Sequence, residues 1–160
     1  MNKKGFTLVE LMAVLIIVSV VSVSSIITFG QINKDTSKNE LANTYKEIQR
    51  SAVLYLDLND VWLKSFVSEK KIDIKLFELK NWNYVSDEIK DSVNNKEISD
   101  NYIVRIYVSG EGKNIYTNTC IYENKMVHNV QKSVCIADET GKYDFDDNSL
   151  VGEACCKEGA

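Results

Sequence analysis

Proline is missing from all 160 residues. No helix here is ended or kinked by an imide, so long uninterrupted helices are open to the chain. Histidine is nearly missing: His128 is the only one, and it has no recognisable nucleophile partner for a proton relay. No cysteine precedes Cys120. The four in the chain lack a Cys-x2-Cys spacing, which argues against a metal site built with His128. A basic excess is missing as well. Lysine and arginine number 19 against 23 acids, for a net charge of −4 and a pI near 5.1, so the electrostatic footprint of a nucleic-acid binder is absent. The aromatic residues are scattered and form no stacking platform along a basic groove. Gly110-x-Gly112 lies in a turn between strand-like runs and not ahead of a helix, so it is no phosphate loop. These gaps leave no catalytic constellation, no cofactor and no metal, and the chain reads as something other than an enzyme.

What is present is concentrated at the head. From Phe6 to Phe29 run 24 residues whose only formal charge is Glu10. A helix of that length spans roughly 36 Å, enough for the ~30 Å hydrocarbon core of a bilayer. A carboxylate inside such a segment is costly and is read first as functional. The bland alternative is a single-pass anchor whose Glu10 sits near the headgroups. A secretory signal peptide fits poorly. Lys3 and Lys4 supply its positive start, but the apolar run is too long, Glu10 opens it, and Gly5 precedes the run where a cleavage site should follow it.

The segment Lys3-Lys4-Gly5-Phe6-Thr7-Leu8-Val9-Glu10-Leu11 resembles the class III signal of type IV pilins and pseudopilins. The resemblance is specific over these residues, general over the apolar run, and beyond about residue 60 extends to architecture alone. It implies cleavage by a prepilin peptidase after Gly5, N-methylation of the new terminus at Phe6, and an assembly role for Glu10 opposite the terminal amine of a neighbouring subunit. Phe6 and Glu10 stand four residues apart, on one helix face. A buried ammonium and a buried carboxylate are each unfavourable alone and offset each other as a pair. Such a pair fixes register more than it adds stability.

The resemblance also sets the expected fold: α+β, with a long N-terminal helix, membrane-spanning in its first half and amphipathic in its second, packed on a small antiparallel sheet. Residues 1–5 are the expected leader, 6–29 the transmembrane and assembly helix, and 30–160 the extracytoplasmic globular domain. Within that domain, 30–57 is the amphipathic helix, 58–101 a connecting region, and 102–160 the sheet with a cysteine-containing C-terminal loop. Leu41, Tyr45, Ile48, Ala52 and Leu56 recur at spacings of three and four, which predicts one apolar helix face. Gly30 is the one local breaker of a helix that otherwise runs to about Asp57. Ser19, Ser22, Ser24, Ser25 and Thr28 are tolerable in a membrane helix because hydroxyls bond back to helix carbonyls. Val61, Trp62, Leu63, Phe66 and Val67 read as a continuation of the helix or a cap on the core.

Asp73–Trp82 reads as a short helix with Ile74, Phe77, Leu79 and Trp82 inward, and Tyr84–Val93 as another helical turn or two. Asn94-Asn95-Lys96 reads as a turn. Strands are expected from Tyr102 to Ser109, from Ile115 to Tyr122 and within Met126–Ile136, with a turn at Glu123-Asn124-Lys125 and a short edge strand at Tyr143–Phe145. Asp144, Asp146, Asp147 and Asn148 form an acidic cluster whose spacing does not match a calcium loop, so it reads as a solvated loop.

Cys120, Cys135, Cys155 and Cys156 fall in the part expected outside the cell, where disulfides form. Sequence does not choose among the pairings. A vicinal Cys155–Cys156 bridge is strained, which favours one or two bonds from that pair back to Cys120 and Cys135.

The expected function is a structural subunit of a type IV pilus-like surface filament, assembled through its apolar helix. One alternative is a pseudopilin of a DNA-uptake or type II secretion apparatus. An alternative of another class is a membrane-anchored surface binding module that never polymerises. The expected partners are other pilin subunits, the prepilin peptidase, an inner-membrane assembly platform and the bilayer before assembly, with nucleic acid only in a competence role. Lys3 and Lys4 keep the N-terminus inside and place the C-terminal domain outside.

Overall fold

The computed structural model describes residues 7–59, 71–111, 114–127, 129–144 and 155; the side chains of 21, 23–31, 109–111, 114–115 and 127 are not described. The chain divides into two compact units, Met1–Lys38 and Asn39–Ala160. Helix α1, Leu8–Leu58, contributes to both and continues through Gly30.

In the first unit the large apolar side chains from Leu8 to Val20 are all more than half exposed. They occupy every face of the helix, a pattern that belongs to helices surrounded by apolar material. Ser19 donates its hydroxyl to the Ile16 carbonyl and Ser22 to that of Val18, each at 2.7 Å. These are the expected back-bonds. Ser24, Ser25 and Thr28 lie outside the described side chains.

In the second unit, Leu41, Tyr45, Ile48, Ala52 and Leu56 are buried along one face of α1, as their spacing predicts. They pack on a four-stranded antiparallel sheet formed by β1 (Lys71–Lys75), β4 (Ile103–Glu111), β5 (Asn114–Val127) and β6 (Val130–Ala137), in that spatial order. Between β1 and β4 come α2, Leu76–Asn81, and a two-stranded hairpin of β2, Lys90–Asp91, and β3, Lys96–Glu97. Ile74, Val104, Ile121 and Ala137 form one row across the sheet and join the helix face in the core. The opposite face carries a second small core of Tyr107, Cys120, Cys135 and Cys155. An α+β fold with the helix first and an antiparallel sheet after it agrees with expectation.

Several elements differ from the sequence reading. Asp73–Trp82 is not one helix: Lys71–Lys75 pairs antiparallel with β4, and only Leu76–Asn81 is helical. The sheet thus begins before residue 102, inside the expected connecting region. Ile74 and Leu79 face the core, but Phe77 and Trp82 are about half exposed: Phe77 lies on the outer side of the six-residue helix, and Trp82, just past its end, lays its ring on that of Tyr55 at 4.5 Å. Tyr84–Val93 is turns and β2, not helix. The α2 helix closes with Asn83 at φ 58°, while the Tyr84 amide donates to the Leu79 carbonyl at 2.9 Å, an αL helix end that stops propagation.

Glu123-Asn124-Lys125 is not a turn but part of the long β5, opposite Val134, Ser133 and Lys132. Its polar residues are held in the strand by Glu123–Lys125 pairing and by Ser133 donating to Asn124 at 2.7 Å. The chain reverses beside Asn129, at φ 63°. Asn94 and Asn95 do lie in a turn, where the Asp91 carboxylate accepts from the Val93 and Asn94 amides. Tyr143 and Asp144 are not in a strand. Phe145 and the Val61–Val67 residues lie outside the described residues.

Candidate functional site

Thr7 precedes the first helical residue, Leu8, and Glu10 is the third residue of α1. The Thr7 amide and the Thr7 hydroxyl each donate to Glu10 Oε2 at 2.9 Å, and the Glu10 amide donates back to Thr7 Oγ1 at 3.3 Å. This reciprocal arrangement is a capping box, and it satisfies two helix-start donors that otherwise have no partner. A Thr cap of this kind contributes about 1 kcal/mol to helix stability. The Thr-x-x-Glu spacing is its sequence signal; reading Glu10 by its charge alone misses it. The carboxylate retains acceptor capacity, since an ionised carboxylate offers roughly four lone-pair sites. Gly5 and Phe6 lie outside the described residues. Among the described residues no helix is long and apolar enough to cross a membrane; the expected span 6–29 includes Phe6 and side chains at 21 and 23–29 that are not described.

Cys120, Cys135 and Cys155 converge on the outer sheet face. Cys135 on β6 is bonded to Cys155, with Cα atoms 5.4 Å apart, so a bond from the C-terminal pair back to the sheet is present. Cys120 is disulfide-bonded as well; Cys156 lies outside the described residues. Between Ile121 and Tyr122 the β5–β6 register slips by one residue. Cys155 Sγ sits over that bulge, 3.4 Å from the Ile121 carbonyl oxygen and 3.2 Å from that of Ala137.

Beside them on the same face is a polar group that periodicity does not flag. Arg105 reaches Asp73 with two hydrogen bonds and stacks its guanidinium 4.7 Å from the centre of the Tyr122 ring. Tyr122 donates its hydroxyl to Asp73 at 3.0 Å. Burial pushes the Asp73 carboxyl up, but its bonds to Arg105 and Tyr122 outweigh that and hold it below the usual carboxylate range. Burial and the nearby Asp73 push the Tyr122 phenol up to about 12. The three groups satisfy one another and join β1 to β4 and β5.

Among the described residues no group of three or more His, Cys, Asp or Glu side chains could hold a metal ion. His128 and residues 146–148 of the acidic cluster lie outside them.

No curated protein and no solved structure matches the chain. The family model for the prokaryotic N-terminal methylation motif matches residues 1–26, the stretch that holds Gly5, Phe6, Thr7 and Glu10. The chain carries the class III prepilin signal found on type IV pilins and pseudopilins, and that motif points to a structural protein made to assemble with other pilin-type subunits.

Proposed function

We propose that this protein is a membrane-anchored precursor, cut after Gly5 and N-methylated on Phe6, that polymerises through residues 6–29 into a surface filament. The observation that carries the reading is the methylation-motif match over residues 1–26, with a lone carboxylate, Glu10, four residues beyond Phe6. Removing residues 1–5 takes away Lys3 and Lys4 and leaves an ammonium at the edge of the bilayer. In the assembled state Glu10 meets that ammonium on a neighbouring copy, where low dielectric strengthens the pair. The pair selects the axial stagger; the apolar surface from Leu8 to Val20, exposed on every face, supplies the burial. No single partner helix covers a helix that is apolar all round, so several neighbours, or lipid before assembly, must surround it.

The test is Glu10→Gln in cells that express the peptidase and the assembly machinery. Glutamine can keep the capping box with Thr7 but carries no charge for the amine. The expected result is normal removal of residues 1–5 with filaments lost. Filaments at wild-type yield would defeat the role given to Glu10. The length of the fibres seen by electron microscopy separates a surface filament from the short pseudopilus of a pseudopilin.

A further inference from the structure

The globular unit holds a groove of about 670 Å³ between the last turns of α1, β5 and the loop after β6. It forms because β5 leans away from the helix: Ile121 is buried, Thr119 half-buried and Thr117 exposed on the same strand face. At its base lies Gln49, only 3% exposed. Its Nε2 donates to the main-chain carbonyls of Asp138 at 2.8 Å and Thr119 at 3.4 Å. That fixes the carboxamide at the base of the groove. Lys46 and Arg50 line the groove one helical turn apart, and neither has an ion pair among the described residues. Leu54 lines it too and is 49% exposed.

We propose that this groove receives the segment 87–93 of a second copy of the same chain, as a contact between globular units in the filament. The inference rests on the assembly reading above and adds to it the surface that the globular unit uses. Charge order favours this occupant. Asp57 and Glu139 also line the groove, so a uniformly acidic peptide meets repulsion there. The segment 87–93 instead presents Asp87 and Glu88, then Lys90, all exposed, while its third acid, Asp91, is half-buried and its carboxylate is taken up by Val93 and Asn94. Asp87 and Glu88 suit Lys46 and Arg50. Val93, 44% exposed on the β2–β3 turn, is the apolar group that can cover Leu54. Complementary pairs of this kind set partner and register more than raw affinity.

The experiment is a charge exchange in the full chain, read as filament yield. Arg50→Glu and Glu88→Lys, each alone, are expected to lower the yield by more than about tenfold, because each sets like charges face to face. The double variant is expected to restore it to within about twofold. Single variants that assemble like wild type, or a double variant no better than the singles, overturn the proposal. Folding is checked by thermal unfolding of each variant. Independently, a photo-crosslinker at position 54 is expected to capture residues 87–93 of another copy; capture of any other segment, of another protein, or of nothing overturns it. A wild-type chain that is never cut or never assembles sinks the assembly reading itself, an outcome distinct from failure of the exchange.

Discussion

Arg105 on β4 grips Asp73 on β1 with a fork: Nε donates to Oδ1 and Nη2 to Oδ2, each at 2.7 Å. The two residues stand directly opposite in the ladder, and β1 is an edge strand of the sheet. The pair therefore fixes the register of an edge that has only five residues to hold it.

This pair gives stability a pH dependence. The folded carboxyl of Asp73 is held below its ordinary value of 3.8, so the unfolded chain takes up the proton first as pH falls. The contribution is complete above the ordinary carboxylate range and is lost as pH drops below about 4 through the lowered folded value. Urea unfolding measured between pH 7 and pH 2 is expected to lose this component in Asp73→Asn. Arg105→Lys keeps the charge but not the fork and is expected to cost about 1 kcal/mol. An Asp73→Asn profile parallel to wild type across the whole acid range would rule the pair out as a source.

The Cys135–Cys155 bond closes a separation of 20 residues. In the chain-entropy account a loop of that size contributes about 3 kcal/mol. Cys155→Ser is expected to lower the urea-derived unfolding free energy by about that amount. A fall under about 1 kcal/mol would show that the bond constrains little. Non-reducing peptide mapping is expected to return the Cys135–Cys155 peptide. It is also expected to join Cys120, bonded in the structure, to Cys156, the one cysteine the sequence leaves over.

Gly141 has φ +77°, and a Cβ placed there runs into the main-chain carbonyl of Ala42. Both features oppose any side chain, because the backbone is left-handed and the obstacle is rigid. Gly141→Ala is expected to destabilise the globular unit by about 2 kcal/mol, through a shift of the loop that carries Asp138 against Gln49 and Tyr143 against Tyr45. A change within about 0.5 kcal/mol would mean that the loop yields freely.

The parts of this fold legible in the sequence are those set by local periodicity. Leu41 to Leu56 announce the buried face of α1 because the helical period is visible within a few turns. The strand at β4 is readable for the same reason. β1 is not, because its alternation, Ile72 and Ile74, is brief and runs straight into the helical spacing of Leu76 and Leu79; only the distant partner β4 decides it. Glu123, Asn124 and Lys125 look like a turn because they are polar, yet a strand with one wet face takes such residues readily. Gln49 escapes notice because its partners, Thr119 and Asp138, are far along the chain. At the head of the chain Glu10 is conspicuous by its charge, while its bond to Thr7 is signalled only by the Thr-x-x-Glu spacing.

The most direct test is the mass of the mature chain purified from cells. The expected species begins at Phe6, lacks residues 1–5 and carries one methyl group on its terminal amine. A chain that keeps Met1 or Lys3–Gly5, and remains monomeric in the envelope, would contradict the account at its foundation.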